Sequence, residues 1–350
     1  MDNRGWQTGE LRTHSDKERD LVIEARKYLT EDPNEFYVGA DAVKQRLTET
    51  VNDPQTLKTI TRSFINRTLK HAELLHIPRK RVKHGSRYQH YPERLLLKLG
   101  KYILEVDFLE RYLTDQSEPI NFVGMSVKTL KLRQFQRIGG QTNQEQIKSL
   151  KWFEKSFFTP DAVKMDNAAS NVGSMYYQRT LSNVILYILS RKITPIFTAP
   201  RQPWNNGSVE GSNSVFGRNF WQPNIFTSIE DIDLKLTFFN LSSFKHSLYD
   251  PKNKPVSAKQ NFIPCVYYIR KVEAIASGKQ GCFSIANTTI FISKKYIHLF
   301  VLTKWNLQTE TLTVMFETEQ GKEQQIYQQK FLIHPKSKLA LQAALNSSET

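Results

Sequence analysis

Three acids in this chain have the types and the order needed for chemistry on phosphate esters. Asp107 sits in Glu105-Val106-Asp107-Phe108-Leu109, Asp166 in Val163-Lys164-Met165-Asp166-Asn167, and Glu210 follows the turn Gln202-Pro203-Trp204-Asn205-Asn206-Gly207-Ser208-Val209. An aspartate inside an apolar strand is disfavoured unless something pairs with it. If the strands of Asp107 and Asp166 are neighbours in one sheet, their carboxylates meet at its end, and a helix started by the turn brings Glu210 over the same point. Three converging carboxylates repel one another, so the arrangement makes physical sense as a cage for hard divalent cations, which prefer oxygen ligands. The expected cofactor is Mg2+, or Mn2+, as a pair of ions in each active site, one orienting the attacking hydroxyl and the other stabilising the leaving oxygen. Asp107, Asp166 and Glu210 are thus the expected catalytic and metal-ligating residues. Each acid alone is more often a turn or edge residue; the ordered set carries the reading.

The elements that must position these acids alternate in pattern. Residues 102–112, 120–127 and about 130–138 read as successive strands, and 143–157 reads as a helix. A short strand over 162–166, a helix over 182–190, a strand over 193–199 and a helix over 209–220 follow. That order predicts an α/β fold with a ribonuclease-H-like catalytic core over residues 100–250. A further helix is expected over 228–243, opened by Ser228-Ile229-Glu230-Asp231. Residues 250–259, with two prolines and three lysines, read as a linker. Segments of alternating polarity at 296–302, 309–317 and 324–332, turned by Trp305-Asn306 and Gln320-Gly321, then predict a small antiparallel β-barrel over 260–340.

Upstream of the core, Ser15-Asp16-Lys17-Glu18 has the form of a capping box and opens a helix over 16–29, with a second helix over 40–48. A third starts at Asp53-Pro54 and carries the stripe Leu57, Ile60, Phe64, Ile65 and Leu69. Its other face presents Lys58, Arg62, Asn66, Arg67 and Lys70, which suits a helix-turn-helix region over 1–78 whose last helix lies in a DNA groove. Residues 79–99 form a basic linker in which Arg79, Lys80, Arg81 and Lys83 could track phosphates. A solvated helical bundle and hinge is the plainer alternative for both stretches.

Bulk composition agrees with a nucleic-acid partner. The 350 residues include 49 Lys and Arg against 34 Asp and Glu, a formal charge of +15 that attracts polyanions. Apolar content of 39% is ordinary for a folded chain. The two cysteines, Cys265 and Cys282, allow neither a disulfide framework nor a four-cysteine zinc site and are expected to pack as small apolar groups. The polar start and the lack of a long apolar run give no sign of a signal peptide or a membrane role, so a cytoplasmic protein is expected.

The segment Pro200-Arg201-Gln202-Pro203-Trp204-Asn205-Asn206-Gly207-Ser208-Val209-Glu210-Gly211-Ser212-Asn213 resembles the part of bacterial insertion-sequence DDE transposases that bears the third acid. With Asp107 and Met165-Asp166-Asn167 in order, the resemblance covers about residues 100–245 and, more faintly, the regions on either side. These enzymes are relatives of retroviral integrases. The resemblance implies a transposase that cuts and joins DNA at element ends with magnesium or manganese. It also implies element-end and target double-stranded DNA as partners, homo-oligomerisation on DNA, and a bacterial, nucleoid-associated location. Forty-three residues separate Asp166 from Glu210, a longer gap than is usual in the family, so an extended loop or helix is expected near 170–180. The basic residue usual about two turns beyond the glutamate falls at Arg218, one residue late, and is the expected DNA-end contact in the core. No cysteine is present upstream for the zinc domain of retroviral integrases, whose place the helix-turn-helix would take. Two other readings compete: a catalytically inactive DNA-binding regulator with the same fold, and a nuclease of that fold acting on hybrids or junctions.

Overall fold

The computed structural model describes residues 14–75, 90–113, 118–168, 171, 173–174, 176–200, 206–256, 262–276 and 278–346. Two compact units are distinguished: residues 1–84 with 237–246, and residues 85–236 with 247–350.

The first unit begins with α1 (Asp16–Glu31), whose capping box forms as its residues predict: Glu18 N–H donates to Ser15 Oγ at 3.3 Å and Ser15 N–H to Glu18 Oε2 at 2.6 Å. α2 (Ala40–Thr50) follows. The expected single third helix is instead two, α3 (Pro54–Thr59) and α4 (Arg62–His71). The break has a local cause. Thr61 leaves helical geometry and its side chain accepts the Phe64 N–H at 3.2 Å, starting a new helix one residue after Ile60 closes the old one. Val22, Leu29, Val43, Leu47, Ile60, Ile65 and Leu69 share one core. The chain returns to this unit at 237–246, where His246 Nδ1 lies 2.6 Å from Gln45 Oε1.

The second unit is mixed α/β. After α5 (Glu93–Leu97), β1 (Ile103–Arg111), β2 (Ile120–Val127) and β3 (Leu132–Ile138) form an antiparallel meander. α6 (Asn143–Ser156) leads to β4 (Ala162–Met165), which pairs parallel to β1; α7 (Asn183–Ser190) leads to β5 (Thr194–Phe197), parallel to β4. Every residue of β4 and β5 is buried, which explains their unbroken apolar character apart from one lysine and one threonine. α8 (Gly207–Val215) continues into a π-helical turn, Phe216–Trp221, and α9 (Ile229–Lys245) follows, its residues from 237 onward belonging to the first unit.

The C-terminal strands correct the expectation of a separate barrel. β6 (Cys265–Lys271) pairs parallel to β5 through Ile196–Tyr267 and Phe197–Tyr268. After β7 (Glu273–Ala274), β8 (Gln280–Ile285) and β9 (Thr288–Ser293) make a separate three-stranded sheet with it. β10 (Phe300–Asn306), β11 (Thr311–Glu317) and β12 (Glu323–Lys330) then rejoin the core. The result is a nine-stranded sheet, β12-β11-β10-β6-β5-β4-β1-β2-β3. The reason lies in β5: a wholly buried strand cannot be left as an open edge, and β6 supplies its missing partner. Trp305-Asn306, expected as a turn, is the end of β10; Trp305 is fully buried and donates its Nε1–H to Phe331 O at 2.9 Å. α10 (Pro335–Asn346), which the sequence pattern did not announce, closes the chain.

Candidate functional site

β1 and β4 bring two of the three acids to neighbouring places. Glu105 faces Lys164 in the parallel ladder, and Asp107 and Asp166 each lie two residues further along the same side of their strands. Asp166 stands just past the end of β4. Its Oδ1 accepts the Ala168 N–H at 3.1 Å and the Asn171 amide at 2.9 Å, which fixes one edge of the carboxylate. Asp107 Oδ2 accepts the Asn213 amide from α8 at 2.7 Å.

Glu210 lies in the first turn of α8, and several contacts hold that helix over β1 and β2. Asn206 donates its side-chain amide to Val106 O at 3.2 Å, and Ser126 and Ser208 share a 2.8 Å hydroxyl contact. Gly124 in β2 makes the approach possible. A Cβ there would stand 2.7 Å from Asn213 Oδ1, 3.0 Å from Phe135 and 3.4 Å from Val209, so a larger residue would push α8 away. Further along, Phe216 is fully buried against Phe135 and Phe122, at ring separations of 4.6 and 5.1 Å.

The electrostatics register the convergence of the acids. Burial, then the charges of Asp166 and Glu210, push the Asp107 carboxyl up to about 7, against the pull of the Asn213 amide. Glu210 is also raised, first by burial and then by Glu105, with Lys164 opposing. Among the described residues, however, no group of three or more His, Cys, Asp or Glu side chains is disposed to hold a metal ion. The three carboxylates suit a hard cation in kind and charge, since such ions prefer oxygen ligands.

The remaining expected contacts fall in several places. Lys58 on α3 and Arg62, Asn66, Arg67 and Lys70 on α4 are all exposed, and Arg62 reaches Asp41 at 3.4 Å. Arg79, Lys80, Arg81 and Lys83 lie outside the described residues, as does Trp204. Arg218 lies within the π-helical turn, where Gln222 N–H donates to Gly217 O five residues back at 2.9 Å. Such a turn takes up one residue more than an α-turn, so the late spacing of Arg218 meets a helix that is widened at that point. The long connection after Asp166 contains no helix before α7 among its described residues. It is tied down by Asn287, whose amide donates to Ser174 O at 2.7 Å, and by Ser337, whose hydroxyl accepts the Leu181 N–H at 3.0 Å. His246 pairs with Glu35 and Gln45 in the first unit.

Sequence reasoning missed Glu105, Lys164, Asn171, Asn213 and Arg270. Buried Arg270 donates to Thr198 O at 2.9 Å, Ser284 O at 2.8 Å and Asn167 Oδ1 at 2.8 Å, steadying the residue next to Asp166. A charged residue in an otherwise apolar strand was the available signal for Glu105, Lys164 and Arg270. The asparagines carried none.

No family model and no curated protein matches this chain. Among solved structures, a chain of the cryo-EM structure of the simian T-cell lymphotropic virus intasome in complex with PP2A regulatory subunit B56 gamma aligns at 13% identity. It covers 83% of this chain and 99% of its own length, at a TM-score of 0.34. The NurA nuclease from Sulfolobus solfataricus aligns at 13% identity over 71% of this chain and 73% of its own, at a TM-score of 0.18. Among the described residues, no helix is long and apolar enough to cross a membrane.

Proposed function

We propose that this chain is a DDE-type polynucleotidyl transferase with a ribonuclease-H-like core, acting as a transposase or integrase that binds element-end DNA and carries out metal-dependent strand cleavage and transfer. The observation that carries the reading is the placement of Asp107, half-buried and close enough to Asp166 and Glu210 for their charges to raise its carboxyl. Carboxylates gathered against their own repulsion are unfavourable unless a cation or proton offsets them. The element order from β1 through α8 and the basic outer face of α4 support the same reading.

Asp107, Asp166 and Glu210 would hold the Mg2+ or Mn2+. When bound, the metal would supply charge stabilisation and an activated oxygen nucleophile. The chain's own part is to orient the acids. Asn213 and Asn171 donate to one oxygen each of Asp107 and Asp166, Asn206 ties the start of α8 to β1, and Phe216 packs the far end of that helix onto β2 and β3. Lys58, Arg62, Asn66, Arg67, Lys70 and Arg218 would face DNA.

A second reading, an inactive DNA-binding regulator, is favoured by one observation: the described acids form no closed metal group. Nicking and strand transfer of labelled DNA from the gene's own flanks, with Mg2+ or Mn2+, separates the two. Wild type should give metal-dependent product and Glu210→Gln none, with both proteins folded and DNA-bound. Equal background from both would overturn the enzyme reading and leave the regulator.

A further inference from the structure

Two residues before Asp107, Glu105 is 8% exposed, and its ladder partner Lys164 is 6% exposed. Lys164 Nζ donates to Glu105 Oε1 at 3.1 Å. The other oxygen, Oε2, does something an ordinary ion pair does not: it accepts the backbone N–H groups of Ser208 at 2.9 Å and Val209 at 3.1 Å. These are first-turn donors of α8, which an α-helix cannot satisfy from within itself. The helix's own N-cap residue, Asn206, makes no capping bond; its amide is turned to Val106 O instead. A strand carboxylate thus caps the helix that carries Glu210, with its negative charge at the positive end of the helix dipole.

Lys164 completes the device. Its ammonium balances the Glu105 charge and lies 5.8 Å from the ring centroid of Tyr91. A buried ion pair is weak as a source of stability, since well-packed apolar side chains often serve as well. What apolar side chains cannot do is accept two N–H groups at a defined point above β1.

We propose that Glu105 and Lys164 form a positioning strap: Glu105 sets the height and register of the first turn of α8, and so of Glu210, over Asp107 and Asp166, while Lys164 holds the Glu105 carboxylate in its capping orientation. This rests on the reading of those three acids as the reacting group. Neither strap residue is assigned contact with substrate or metal.

The test uses the full chain with Mn2+ and labelled flank DNA, and two readouts. The first is amide hydrogen exchange over residues 207–212. In Glu105→Ala, exchange there should quicken by about tenfold, as expected for loss of a helix cap, with α6 and α7 unchanged. The second is nicking as a function of Mn2+ concentration. Glu105→Ala should need more Mn2+ for half-maximal rate and reach a lower plateau, whereas its DNA affinity should match wild type. If Glu105→Ala fails to fold, the paired variant Glu105→Gln with Lys164→Met removes both charges and keeps a neutral amide oxygen to accept the two N–H groups more weakly than a carboxylate; it should be intermediate in both readouts. Wild-type exchange over 207–212 in a folded Glu105 variant would overturn the strap. Faster exchange with an unaltered Mn2+ profile would overturn its link to Glu210. If wild type itself does not nick DNA, the functional reading fails, and the exchange readout alone then decides whether Glu105 caps α8.

Discussion

Replacing Asp107 by asparagine should stabilise the metal-free protein above neutral pH while abolishing its proposed activity. The carboxyl moves from an ordinary 3.8 to about 7 on folding, through burial first and then the charges of Asp166 and Glu210. The folded chain therefore holds this proton more tightly than the unfolded chain does. Below about pH 4 both states are protonated and the group contributes nothing; stability is lost as pH rises from about 4 to about 7, and the loss is level above that. A tenfold change in proton affinity is worth about 1.4 kcal/mol, which puts the ceiling near about 4 kcal/mol; partial exposure of the carboxylate screens this to about 2–3 kcal/mol. Asparagine keeps the shape and an oxygen for the Asn213 amide, which in wild type donates to Asp107 Oδ2 at 2.7 Å. Thermal unfolding of wild type and Asp107→Asn between about pH 4 and pH 8 without divalent metal isolates the effect of this site, because titrations of groups not coupled to Asp107 cancel in the difference. The variant's advantage should be near zero at the acid end and should grow until about pH 7. A constant difference across the range would refute the reasoning. Added Mn2+ should close the gap at the alkaline end by raising the wild-type Tm alone.

Three further outcomes follow from the same geometry. Gly124→Ala should cost about 1–3 kcal/mol by overpacking, and because its Cβ meets Asn213 and Val209 on α8, nicking should fall further than the reduced stability accounts for; equal falls would show that α8 does not move. Arg62, Arg67 and Lys70, changed together to glutamine, should flatten the salt dependence of DNA binding by up to roughly 0.9 for each phosphate no longer neutralised; an unchanged slope would take α4 off the DNA. Arg270→Lys should not substitute for arginine, since a single ammonium cannot reach Thr198, Ser284 and Asn167 together. Thr198 O would keep the Asn167 amide as a donor, so the loss falls on Ser284 O and Asn167 Oδ1 and should cost about 1–3 kcal/mol in all, read as a drop in denaturation midpoint.

Much of the local structure was legible along the chain. The capping box at Ser15 and Glu18, the helix start at Asp53-Pro54 and the alternation of β1 to β5 with their helices all arise between residues close in sequence, where periodicity and cap chemistry act. The break at Ile60 escaped because the apolar stripe runs on through it: α3 and α4 both face the same core, so periodicity stays silent while Thr61 switches the backbone.

What only the tertiary structure decided depends on groups far apart in sequence. β6 joins the core sheet because β5 is buried on both faces, a property of its neighbours and not of its own four residues. Glu105 caps a helix that begins 102 residues later, and Arg270 gathers carbonyls from two distant segments. The weakened acidity of Asp107 is likewise a sum of burial and charge from residues 59 and 103 positions away. Composition and spacing determined which groups this chain possesses; long-range pairing and burial, which no window of sequence contains, decided which of them meet.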